Sequence, residues 1–130
     1  MALRTIVTML CGVGLYASVF MLRKGALAAR GELAEPSVVQ TPRARLFGGV
    51  PNAWIGAWYY PALGVAIWLA AGRSELVVLF VAALTAAGVS AVLAYSLLFV
   101  TRMPCVYCWT SHIVNWTLAV CVAILIVSAS

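Results

Sequence analysis

Charge is what this chain has least of. It contains no aspartate and only three acidic residues, Glu32, Glu35 and Glu75, against eight Lys and Arg. Charged side chains are 8% of the 130 residues, 65% are hydrophobic, and the mean hydropathy is +1.09. An ordinary soluble domain is about a quarter charged, and a small one has too little interior to hide so much apolar surface. A soluble domain is therefore excluded, and the composition is that of an integral membrane protein. The formal net charge of +5 rests on few side chains, so it points to membrane orientation and lipid headgroups. With no aromatic-rich basic patch, nucleic acid is excluded as a partner.

Cysteine is also scarce, and its placement removes several chemistries. The four are Cys11, Cys105, Cys108 and Cys121. Cys11 and Cys121 stand in the middle of apolar runs, where a cysteine is usually a small buried hydrophobe. Cys105 and Cys108 form a Cys-x-x-Cys pair directly after Pro104. A structural zinc site needs about four ligands; there is no second Cys pair, and His112 alone does not complete the set. A c-type haem needs histidine immediately after the second cysteine, and Trp109 stands there. Dithiol/disulfide redox exchange is the leading use that remains, beside inert structural cysteines or an incomplete metal site. Two thiols three positions apart share one face of a helix start, where unpaired N–H groups and the helix dipole favour negative charge on sulfur.

Apolar runs of about 20 residues are expected to cross the bilayer as helices. The first covers about 5–22 and stops at Arg23-Lys24; it has no A-x-A-like cleavage site and is expected to be retained. Gly12 and Gly14 within it permit close helix approach. The second covers about 52–71 and carries Trp54, Trp58, Tyr59, Tyr60 and Trp68, several of which suit an aromatic belt at the membrane boundary. Pro61 should loosen or kink it. Gly72-Arg73-Ser74-Glu75 reads as a tight polar turn joining the second span to the third, about 76–100, as an antiparallel hairpin. Small residues in the third span (Ala86, Ala87, Gly88, Ser90, Ala91) suit tight packing. Thr101-Arg102-Met103-Pro104 turns the chain into the fourth span, about 105–127. The expected fold is a single all-α membrane domain over 1–130, a four-transmembrane-helix bundle without an internal repeat. Its long loop, 23–51, contains a possible helical continuation at 26–34 and an amphipathic stretch at 43–49. Even numbers of spans place this loop and the Cys pair on the same side, so the loop is expected to cap the site. Arg23, Lys24, Arg30, Arg43, Arg45 and Arg102 lie on that side against Arg4 and Arg73 on the other; the positive-inside rule then puts the site on the cytoplasmic face.

Polar groups inside a span are expensive and tend to mark function. His112 follows Cys108 by one helical turn, and Asn115 lies three residues further. His112 either makes an interhelical hydrogen bond or donates to the carbonyl of a bound oxidant. Two thiols release two electrons, and a lipid-soluble quinone is the natural two-electron acceptor within a bilayer. Trp54, Trp58, Tyr59 and Trp109, with His112 and Asn52 as donors, compose a plausible quinone pocket. Asn52 has a second explanation as the N-cap of its helix after Pro51.

The stretches Phe47-Gly48-Gly49-Val50-Pro51-Asn52-Ala53-Trp54-Ile55-Gly56-Ala57-Trp58-Tyr59-Tyr60 and Cys105-Val106-Tyr107-Cys108-Trp109-Thr110-Ser111-His112-Ile113-Val114-Asn115 resemble the vitamin K epoxide reductase family, in span order along nearly the whole chain. The resemblance implies a bacterial or archaeal type of homologue, multi-pass in a prokaryotic cell membrane, with four helices around a quinone of the ubiquinone or menaquinone (vitamin K) type. Cys105 and Cys108 would be catalytic: Cys108 forming the charge-transfer or covalent adduct with the quinone, Cys105 exchanging with a partner disulfide. Asn52 matches the family's asparagine that hydrogen-bonds one quinone oxygen, and His112 stands where relatives often have a tyrosine serving the other. Asn115 falls in the same quinone-binding stretch. The implied reaction oxidises a thioredoxin-like partner and passes electrons to quinone; reduction of a quinone or its epoxide in the reverse direction, or a non-catalytic membrane subunit, are the alternatives. Two departures stand out. Family members usually carry two shuttle cysteines in the first loop, and residues 23–51 contain none. The usual member also presents its site outward, opposite to the charge bias here.

Overall fold

The computed structural model describes residues 2–31, 52–101 and 106–128. The regular structure among them is all helical: α1 (Ala2–Ala29), α2 (Asn52–Leu69), α3 (Arg73–Ser96), which runs on into a π-helical turn (Leu97–Thr101), and α4 (Val106–Ser128). Residues 32–51 and 102–105 lie outside the described residues, so the expected cap, the amphipathic stretch at 43–49 and the turn before Cys105 fall there.

Three of these helices are long and apolar enough to cross a membrane, over Ala2–Leu27, Arg73–Phe99 and Val106–Ser128. α2 is not among them. Its 18 residues extend about 27 Å at 1.5 Å per residue, just under the ~30 Å hydrocarbon layer, and its first half dilutes the apolar run with Asn52, Trp54, Trp58, Tyr59, Tyr60 and Pro61. The protein is an integral membrane protein of helices, with three clear candidate spans in place of the four expected.

α1 packs against α2 and α4, and α4 packs against α3, whereas α2 and α3 touch only slightly. The expected hairpin of the second and third spans is thus a chain connection and not a packing unit. The reason lies in the α1–α2 seam, where small residues on one helix receive larger ones from the other. A Cβ on Gly14 would meet the Tyr60 ring at 2.5 Å, one on Gly56 would strike the Ser18 hydroxyl, and Gly64 faces Cys11. Gly56, Tyr60 and Gly64 recur every four residues, on one face of α2. Lipid tails are as apolar as leucine, so close van der Waals fit of this kind, and not exclusion from water, holds such helices together. Gly12, expected to serve the same purpose, has open space around it, as has Gly88 in α3. The largest fully buried side chains, Val7, Ile67, Leu118 and Val122, come from α1, α2 and α4, while α3 contributes the smaller Ala83.

The end of the bundle remote from the Cys pair is tied by polar contacts. The Arg4 guanidinium donates to the carbonyls of Ile67 and Ala70, filling acceptors left over at the end of α2. Beside it, Trp68 Nε1 donates to Thr8 Oγ1 at 2.7 Å. The chain then reverses over Ala70–Gly72, and Arg73, Ser74 and Glu75, expected in the turn, already form the first turn of α3. Glu75 Oε2 accepts the Gly72 N–H at 2.9 Å, one half of a capping box that fixes the helix start three residues early. At its other end α1 continues past Arg23-Lys24 to Ala29, so the helical continuation expected over 26–34 is present as far as Ala29. The helix closes on Gly31, whose φ of 69° is the left-handed conformation that glycine supplies at a helix C-terminus.

Candidate functional site

α4 opens at Val106, so Cys108 stands in its first turn, with His112 one turn and Asn115 two turns further along one stripe. Cys105 and the side chain of Asn52 lie outside the described residues; the Asn52 backbone is the first residue of α2. Contacts between the N-terminal half of α2, the C-terminal half of α1 and the start of α4 place these three segments at one end of the bundle.

His112 is only 5% exposed. The Trp109 ring meets it edge-on, with centroids 5.9 Å apart and planes at 83°, and Trp116 lies 6.2 Å away on the next turn. Its Nδ1 is buried with no hydrogen-bond partner among the described residues, and the Tyr59 hydroxyl is in the same condition. A polar atom without a partner in an apolar interior costs roughly 1–3 kcal/mol, so two in one membrane protein ask for a reason. The interhelical hydrogen bond that was one explanation for His112 is not seen at Nδ1.

Asn115 has a different situation. Its Oδ1 accepts the Tyr60 hydroxyl at 2.7 Å, and its Nδ2 donates to Ser90 Oγ at 2.6 Å. Both ends of the amide are engaged, in a chain that crosses from α2 through α4 to α3. Trp116 Nε1 adds a bond to the Ala87 carbonyl at 3.1 Å. In these contacts Asn115 joins helices, whereas sequence placed it among quinone ligands. Along the chain, Tyr60 and Ser90 stand out only as an aromatic and a small residue. The one sequence signal for Tyr60 is its place midway between Gly56 and Gly64. Asn115→Leu is expected to lower stability by ~1–2 kcal/mol, in the upper range for interhelical hydrogen bonds in membranes, because it removes the group that links the Tyr60 and Ser90 hydroxyls; thermal unfolding in detergent measures it.

The aromatic residues assigned to one pocket divide into two groups. Tyr59 is half-buried and meets Tyr60 edge-on at 5.2 Å, and Trp109 is half-buried against His112. Trp54 and Trp58 pair with each other at 5.6 Å and are 50% and 66% exposed, the placement of an aromatic belt. A groove of about 490 Å³ between α1 and α2 is lined by residues including Cys11, Leu15, Tyr60, Pro61 and Gly64; it reaches Tyr60 but not Cys108, Trp109 or His112. Cys11 and Cys121 are both buried, as small hydrophobes in mid-span would be. Among the described residues no three His, Cys, Asp or Glu side chains come together to hold a metal.

The chain matches the model of the Vitamin K epoxide reductase family over residues 5–123. No curated protein and no solved structure matches it. That match takes in the Cys pair, the whole of α2 and α3 and most of α1 and α4, and it agrees with an apolar bundle that keeps Cys108 and the buried His112 on one helix: the chain belongs to the vitamin K epoxide reductase family, a family of oxidoreductases.

Proposed function

We propose that this protein is a quinone-linked thiol/disulfide oxidoreductase whose active pair is Cys105 and Cys108. In the first half-reaction a thioredoxin-like dithiol attacks the Cys105–Cys108 disulfide; the partner leaves oxidised and the pair is left as two thiols. In the second, the two thiols close to a disulfide and their two electrons and two protons reduce a quinone to the quinol. α2 is the fourth crossing that completes the bundle around the quinone head. The chain has no cysteine between Cys11 and Cys105, so the partner meets Cys105 directly, without a relay.

The observation that carries this reading is the buried Nδ1 of His112 one turn from Cys108, which has no hydrogen-bond partner among the described residues, as the Tyr59 hydroxyl on α2 has none. A quinone offers a carbonyl oxygen at each side of a flat apolar ring. A neutral imidazole carries one N–H and one bare nitrogen, and the nitrogen bearing the proton can serve such an oxygen, as can a phenol. Trp109 forms an aromatic wall beside it. Asn52, at the head of α2, is assigned the other oxygen.

The test is quinone reduction by purified protein with a dithiol donor, followed by quinone absorbance. The wild type is expected to consume one quinone per dithiol. His112→Phe keeps a flat aromatic ring and removes the hydrogen bond, and is expected to raise KM for quinone about tenfold, as a bond worth roughly 1.5 kcal/mol does. An unchanged KM would remove His112 from the site.

A further inference from the structure

Of the two residues between the thiols, only one faces outward. Val106 is 77% exposed. Tyr107 is half-buried and lies flat on Phe20 of α1, with ring centroids 4.0 Å apart and planes at 17°. Lys24 Nζ sits 5.4 Å from the centroid of the same Phe20 ring, and Tyr16 approaches Tyr107 at 6.4 Å. Tyr16, Phe20 and Lys24 follow one another at four-residue intervals and so form a single stripe along α1. The segment that joins the two cysteines is thereby docked, through one side chain, on a helix that carries neither of them.

We infer that Tyr107, held by Phe20, is a positioning residue that sets the redox poise of the Cys105–Cys108 pair, biasing it toward the disulfide and so toward giving its electrons to quinone. The inference rests on the dithiol reading proposed above. Closing a disulfide across Cys-x-x-Cys orders the residues between the thiols. Where one of them is already docked, part of that ordering cost has been met before the bond forms, and the two events favour each other. Aromatic pairs of this kind change an equilibrium constant by roughly twofold to tenfold beyond their burial. The coupling cannot exceed what docking itself contributes. A pair with a lower reduction potential is a stronger donor to quinone and a milder oxidant of its partner, so the clamp favours the second half-reaction.

The experiment equilibrates the purified full chain, in detergent, with mixtures of reduced and oxidised dithiothreitol. The two thiols and the oxidised reagent exchange for the Cys105–Cys108 disulfide and the reduced reagent. The oxidised fraction is counted by alkylation and mass spectrometry, with no quinone present. Tyr107→Ala is expected to shift the equilibrium up to about tenfold toward the dithiol, a rise of up to ~30 mV in potential. Phe20→Ala should shift it the same way, although it leaves the Cys-x-x-Cys stretch untouched. Tyr107→Phe should restore the wild-type value, and Val106→Ala, altering the exposed neighbour, should not move it. Phe20→Leu stands in for Phe20→Ala if that variant does not fold. The inference is overturned if Tyr107→Ala and the Phe20 variant titrate like wild type, if the shift is toward the disulfide, or if Val106→Ala moves the equilibrium as far as Tyr107→Ala. A wild-type pair that does not interconvert at all is a separate result, which removes the dithiol reading itself.

Discussion

Replacing Cys108 by alanine is expected to abolish dithiol-dependent quinone reduction, by a factor of roughly 10⁴ or more, the scale on which loss of a covalent catalytic group is felt. Cys108 occupies the first turn of α4 and shares its stripe with His112. No other described thiol can take its place. Cys121 is thirteen residues along the same helix, about 20 Å away at the helical rise, and Cys11 is buried in the seam between α1 and α2. Cys105→Ala should be equally inactive with a protein dithiol as donor, because the partner loses the sulfur it attacks. The assay follows quinone absorbance with purified wild type and both variants in the same detergent. Equal rates for wild type and Cys108→Ala would leave the pair structural and sink the enzymatic reading.

The second large effect concerns two glycines on one helix. Gly14→Ala is expected to destabilise the protein by ~2–3 kcal/mol, the upper range for overpacking a filled site, while Gly12→Ala should be neutral or slightly stabilising, alanine being the better helix former. The added methyl at position 14 would lie 2.5 Å from carbons of the Tyr60 ring, and at position 12 it meets nothing within 4 Å. Tyr60 cannot yield freely, because its hydroxyl is bound to Asn115. Moving the ring breaks the chain of hydrogen bonds to Ser90 and loosens α4 two turns below Cys108, so activity should fall with stability in Gly14→Ala alone. Thermal unfolding of the two variants in one detergent, alongside the quinone assay, provides the comparison. Equal melting temperatures would mean that the Gly14–Tyr60 contact does not hold α1 to α2.

Much of this site is legible in the residues alone. The Cys-x-x-Cys spacing, the absence of further metal ligands and of a haem histidine, and the polar residues placed one and two turns beyond Cys108 follow from residue identity and helical periodicity. The roles of those polar residues are less legible. His112 and Asn115 look alike in the sequence, two polar side chains in an apolar run on one stripe. One has a ring nitrogen without a partner among the described residues, and the other an amide engaged at both ends. The difference comes from Tyr60 and Ser90, which lie 55 and 25 residues from Asn115. Trp54, Trp58 and Tyr59 likewise look equivalent, although the first two face outward and the third turns its hydroxyl inward.

By itself the sequence determined that this is a helical membrane protein with a single Cys-x-x-Cys pair beside its last apolar run. Hydropathy and local spacing are properties of single segments, and they need no knowledge of neighbours. The tertiary structure decided which helices are partners and which polar groups are joined to one another. A helix that is apolar all round shows no stripe to mark its packing face, and in lipid the choice of face depends on shape, as where Gly14 admits Tyr60 and Gly12 admits nothing. It also decided that Tyr107, an unremarked residue between two thiols, rests on a ring from the other end of the chain. Such a contact is a matter of distance in space, and no spacing along the chain encodes it.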